Sequence, residues 1–68
     1  MVNTALLKSA RIAAGYNQQQ AADVIECTTN TYCDKENGKS KFDIVEALAL
    51  CSAFNIEDLT MRSKIFLP

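Results

Sequence analysis

Apolar and small residues recur at helical spacing along this chain, broken by short polar stretches. Leu7, Ala10 and Ala14 fall at i, i+3 and i+7 and predict a first helix over about Thr4–Ala14. Asn3 or Thr4 is its N-cap, Lys8 and Arg11 lie beside the buried stripe, and Gly15 is the natural residue to end it. Tyr16 then packs under a second helix, capped by Asn17 and running over about Gln18–Ile25. Ala21, Ala22 and Ile25 anchor that helix, and two alanines in sequence suit a place where another helix crosses closely. Glu26 and Cys27 make a turn in which Glu26 must adopt a left-handed conformation or the turn takes another shape.

Thr28 is positioned to cap a third helix, about Thr29–Asn37, that is polar almost throughout. Tyr32 is its one large anchor, so Thr29, Asn30, Cys33 and Asp34 point away from the core. A short helix with so polar a surface has little stability of its own, and a chain keeps one where that surface binds something. The plain alternative is a solvated helix. The run Glu36-Asn37-Gly38-Lys39 ends it with a residue tolerant of left-handed backbone and a cation at the helix C-terminus.

Phe42 returns the chain to the core, and Asp43-Ile44-Val45-Glu46 is a start signal of the capping-box kind. A fourth helix over about Ile44–Phe54 sets Ile44, Ala47, Cys51 and Phe54 on its buried stripe, with Leu48 and Leu50 flanking and Asn55 as the stop. Ile56 re-enters the core, and Glu57 to Met61 form a short fifth helix. The remaining tail, 62–68, ends in Ile65, Phe66 and Leu67, which either fold back or bury against a second copy. The expected fold class is therefore all-α: a compact bundle of four to five short helices in one domain, 1–68, with a helix-turn-helix at about 18–37.

Composition narrows the functions open to such a bundle. At 68 residues with 49% hydrophobic and 22% charged residues, the chain is globular and of single-domain size. It has no apolar run long enough to span a membrane and no secretory signal at its start. Cys27, Cys33 and Cys51 are odd in number, lack CxxC spacing and have no histidine to help them hold zinc, which favours reduced thiols. No metal or cofactor is expected. With no nucleophile–base pair and no Gly-rich phosphate loop, an enzyme is not expected either. The net charge of −1 argues against a generic nucleic-acid coat, but the distribution is uneven. From Lys35 to Lys41 there are three lysines and one glutamate, whereas Phe42 to Thr60 holds four acids and no base. One face can still dock on DNA.

The pattern Leu7-Lys8-x-Ala10-Arg11-x-x-x-Gly15-x-x-Gln18-x-x-x-Ala22, followed by Thr31-Tyr32-x-x-x-Glu36-Asn37-Gly38-Lys39, is similar to the phage Cro/CI-repressor helix-turn-helix family. The resemblance covers about residues 5–60 and is strongest to small Cro-like regulators of Gram-positive phages or prophages. It implies a lambda-repressor-like DNA-binding domain, working in the cytosol of a bacterial host at the nucleoid, and a transcription regulator that represses by occluding promoters. It implies that Thr29, Asn30, Cys33 and Asp34 read bases. Gln18, Thr28, Thr31, Asn37, Lys39 and Lys41 would hold phosphates, and Arg11 with Glu36 would form a structural ion pair. It further implies double-stranded operator DNA as the partner, bound by a homodimer, for which the apolar tail Ile65, Phe66 and Leu67 is a candidate contact.

The chemistry suits these roles unevenly. Asn30 can pair with adenine N6 and N7, and the Thr29 methyl can meet thymine. Asp34 can accept from cytosine N4 but repels the backbone. Lys35 stands where the family often carries an apolar or aromatic side chain, and the third helix has no arginine for guanine. The acidic half and Asp34 motivate a second reading, an antirepressor-like module that keeps the fold and binds a partner phage repressor.

Overall fold

A computed structural model describes residues 2–66. Five helices follow one another: α1 (Thr4–Ala13), α2 (Gln18–Val24), α3 (Thr29–Glu36), α4 (Ile44–Ala53) and α5 (Leu59–Phe66). No strand occurs among the described residues, and the fold is all-α.

The first four helices start and stop by the same local chemistry. Asn3, Asn17, Thr28 and Asp43 are the N-caps, and each side chain accepts a backbone N–H one turn into its helix. Asn17 with Gln20 and Asp43 with Glu46 complete capping boxes. At the far end each helix closes through a pair of reversed backbone bonds around a left-handed residue. After α1, Gly15 N–H donates to Ile12 and Tyr16 N–H to Arg11; after α3, Gly38 N–H donates to Lys35 and Lys39 N–H to Asp34. Glu26 after α2 and Asn55 after α4 hold the same position without glycine's freedom, at φ 56° and 58°. The turn between α2 and α3 is thus the left-handed one, with Glu26 carrying its strain.

The core joins all five helices through Leu7, Ala21, Ala22, Tyr32, Leu50, Cys51, Phe54 and Ile65, together with Ile56 from the α4–α5 connection. Ala21 and Ala22 are 0% and 1% exposed, and their small side chains let α2 lie against both α3 and α4. Aromatic edges close the periphery. Tyr16 meets Phe54 at 5.3 Å between ring centroids, and Phe42 lies 6.2 Å from Tyr32 and 5.7 Å from Phe66.

The structure corrects three expectations. In α4 the expected stripe is buried at Ala47, Cys51 and Phe54, but Ile44 is 72% exposed and leaves it, while Leu50, expected only to flank it, is 0% exposed. The fifth helix begins later and runs further than Glu57–Met61, taking in residues 62–66 of the expected tail. Asp58 caps it by accepting from Thr60 N–H at 2.8 Å. Ile65 and Phe66 fold back: Ile65 is fully buried, its carbonyl accepts from Asn3 N–H, and Phe66 packs edge-on against Phe42. Ile65 is therefore closed to a dimer contact, whereas Phe66 stays half-buried and lines the groove between α4 and α5, and Leu67 lies outside the described residues. The apolar side chains left open are instead Ile12 on α1, Ile44, Val45 and Leu48 on α4, and Leu59 and Met61 on α5.

Candidate nucleic-acid interface

Tyr32 fastens α3 to the body and thereby fixes which face the helix shows. Its ring is 0% exposed, and α2 crosses beside it over the two alanines. Thr29, Asn30 and Asp34 are consequently exposed on the opposite side, with Cys33 half-buried between them. The side chains of Thr29, Asn30 and Cys33 make no hydrogen bond within the described residues. The Asp34 carboxylate is equally free, while its backbone carbonyl accepts from Lys39 and Ser40 N–H at 2.8 and 3.3 Å, folding the exit loop against the helix end.

The residues expected to flank this face divide into committed and open groups. Thr28 Oγ1 accepts from Thr31 N–H at 3.2 Å and donates to Thr31 Oγ1 at 2.9 Å, so the Thr31 hydroxyl keeps its own proton to donate. Gln18, at the start of α2, turns one amide proton inward to Glu36 Oε1 at 3.3 Å and keeps the second. Asn37 is the C-cap of α3 and exposed. Lys39 and Lys41 are exposed and form no ion pair within the described residues.

Beneath the face lies a buried polar cluster centred on Glu36, which is 0% exposed. Arg11 Nε donates to Glu36 Oε2 at 2.8 Å, and the Tyr32 hydroxyl donates to the same oxygen at 2.7 Å. With Gln18 on the other oxygen, the carboxylate receives three donors from α1, α2 and α3. Arg11 also reaches the Tyr16 carbonyl at 2.8 Å. Every buried side-chain nitrogen and oxygen among the described residues has a partner. Removing one member of such a pair costs about 3–5 kcal/mol, because the remaining charge stays buried. Burial, the hydrogen bond to Glu36 and the Glu36 charge all push the Tyr32 hydroxyl well above the usual tyrosine range. Desolvation likewise raises the Cys27 and Cys51 thiols, and all three cysteines are free.

Two features have no counterpart in the sequence reading. Tyr32 is a hydrogen-bond donor as well as an apolar anchor, and a tyrosine four residues before a glutamate on one helix was a signal for it. Lys35 Nζ bonds both oxygens of Glu46 at 2.7 Å, and the ammonium lies 6.0 Å from the centre of the Phe42 ring. Lys35 thus sets its ammonium over an aromatic face and uses its charge on α4. Because this pair spans a loop, helical spacing gives no sign of it.

A helix-turn-helix family model matches residues 7–59, from α1 to the first residue of α5, and the chain belongs to that family, which is of the Cro/C1 type. It is accordingly a DNA-binding regulatory domain. Neither a curated protein nor a solved structure gives a significant match. No helix among the described residues is long and apolar enough to cross a membrane.

Proposed function

We propose that the chain is a sequence-specific transcriptional regulator of the Cro/repressor type, from a phage or prophage, that lays α3 in the major groove of operator DNA and occludes a promoter. The observation that carries this reading is the free polar face of Thr29, Asn30 and Asp34, bordered by unpaired Lys39 and Lys41 and backed by a fully buried Tyr32. Asn30 pairs with adenine, the Thr29 methyl meets thymine, Asp34 accepts from cytosine N4, and Cys33 packs against the base edges between them. Lys39 and Lys41 hold phosphates, helped by Asn37, the Thr31 hydroxyl, the second amide proton of Gln18 and Thr28. A single short helix reads few bases, so the reading includes a homodimer on half-sites about one helical turn, roughly 34–36 Å, apart. Ile44, Leu48 and Leu59, which line one groove between α4 and α5, supply the open apolar surface for a second copy.

The test begins with duplexes selected by this protein from a randomised library, assayed by gel shift at ~50 and ~200 mM salt, a range over which phosphate-driven affinity falls by orders of magnitude. A salt-sensitive complex that resists competitor DNA is expected. Asn30→Ala should relax selectivity and Lys39→Ala should weaken binding on all sequences, with both variants still folded. Sedimentation of the complex should give two chains per duplex. No enriched sequence and no shift at ~50 mM would overturn the reading and point to a partner protein on this face.

A further inference from the structure

The two lysines assigned to phosphates sit on the segment between α3 and α4, and the structure shows what holds that segment in shape. At its start, Lys39 and Ser40 N–H bond the Asp34 carbonyl. Near its end, Phe42 packs against Tyr32 and Phe66. Across its base, Lys35 on the last turn of α3 bonds both carboxylate oxygens of Glu46 on the first turn of α4. Glu46 is thereby a junction, because Oε1 also accepts from Asp43 N–H at 3.1 Å to close the α4 capping box. The Lys35 and Glu46 side chains are 16% and 17% exposed, so the pair is shielded more than a surface ion pair.

We infer that Lys35 and Glu46 are positioning residues for DNA binding: their ion pair closes the α3–α4 segment into a preformed loop that carries Lys39 and Lys41 to the phosphates. Lys35 makes no DNA contact in this arrangement, despite lying on the recognition helix, since its ammonium is turned to α4. Without the pair, the segment from Asn37 to Lys41 must be ordered at the moment of binding, and that entropy is subtracted from affinity. The inference rests on the phosphate-binding role given to Lys39 and Lys41.

Glu46→Gln separates positioning from charge. Glutamine at this helix position can still close the α4 cap, since Gln20 does so for α2, so the fold is retained. The substitution removes a negative charge from a chain of net charge −1, which by electrostatics alone strengthens DNA binding. The expected result is the reverse: binding to the selected duplex weaker by roughly ten-fold, with the log–log salt slope unchanged, because both lysines still reach their phosphates once the loop is ordered. Lys35→Met removes the ammonium at similar side-chain length, and the same loss with an unchanged slope is expected. The double variant should be no worse than either single one, as for two members of one interaction.

Thermal melts check that the variants fold, and Lys39→Ala with Lys41→Ala serves as the control. If the lysine variants bind as tightly as the parent, the phosphate reading of the loop fails, and the inference with it. If they weaken binding while folded Glu46→Gln binds as well as or better than the parent, the positioning role alone is overturned. A salt slope lowered by Lys35→Met but not by Glu46→Gln would make Lys35 a direct phosphate contact and also overturn it.

Discussion

Tyr32 joins the core to the polar cluster, and its side chain explains why α3 has a fixed orientation although most of its surface is polar. The ring is buried and the hydroxyl donates to Glu36 at 2.7 Å, on the oxygen that Arg11 also holds. Folding raises the hydroxyl's pKa above its ordinary value of 10.0, so the group favours the folded state while it is protonated. That contribution is fully present below about pH 10 and is lost as the pH climbs through the folded value, at a slope of about 1.4 kcal/mol per pH unit. Tyr32→Phe should cost on the order of 1–2 kcal/mol at neutral pH, since Arg11 and Gln18 still serve Glu36. It should also flatten the alkaline decline, which urea unfolding at about pH 8 and pH 11 measures. The raised Cys27 and Cys51 thiols add a decline of the same sign from about pH 9, but they are common to both proteins and cancel in the comparison. An equal loss of stability in parent and variant would show that Tyr32 is not the titrating group. Tyr32 was legible as an anchor because it is the one large apolar-bodied residue in a polar helix. The Arg11–Glu36 pairing followed from the family resemblance. The hydroxyl's role had a signal in the i, i+4 spacing of Tyr32 and Glu36, which a reading of Tyr32 as an apolar anchor alone passes over.

The elements themselves were readable wherever a cap or a stop residue marked them. Asn3, Asn17, Thr28 and Asp43 begin their helices as expected, and Gly15, Gly38 and Asn55 end theirs. Faces were harder. In α4 periodicity marked Ala47, Cys51 and Phe54 correctly, but the run Ile44-Val45-Glu46-Ala47-Leu48-Ala49-Leu50-Cys51 is apolar nearly all round and does not show that the stripe takes in Leu50 and leaves out Ile44. The α5 sequence Leu59-Thr60-Met61-Arg62-Ser63-Lys64-Ile65-Phe66 has the opposite problem, a single fully buried side chain and no stripe at all. The turn between α2 and α3 leaves a measurable cost. Glu26 sits at φ 56°, where a side chain costs about 1–2 kcal/mol relative to glycine, offset by the greater entropy of glycine in the unfolded chain. Glu26→Gly should therefore stabilise the protein by about 0.5–1 kcal/mol and raise its melting temperature by roughly 3–6 °C. Calorimetry decides it, and a lower melting temperature would mean that the Glu26 side chain makes a contribution larger than its backbone strain.

At the scale of the whole molecule, the polar face of α3 depends on a helix far from it in sequence. Family-matched residues end at Leu59, yet the core does not close until Ile65. Ile65 is fully buried, and its carbonyl accepts from Asn3 N–H, the residue that caps α1. Arg62 Nε donates to the Ile56 carbonyl at 2.6 Å, and Phe66 meets Phe42 at the exit of the α3–α4 loop. The last turns of α5 therefore brace both the first helix and the segment that carries Lys39 and Lys41. A domain of this length has a net stability of only about 3–10 kcal/mol. Emptying one buried isoleucine site costs about 2–5 kcal/mol by itself. Removing residues 62–68 also deletes a helix-to-helix backbone bond and an aromatic pair, so the truncated chain should be largely unfolded at 25 °C. Far-UV circular dichroism with a thermal melt is the measurement, and DNA binding should vanish with the cooperative transition. A shortened chain that melts like the parent and differs only in sedimenting as a monomer would reverse the assignment. It would make this end of α5 an intermolecular contact, and the core would have to close without Ile65.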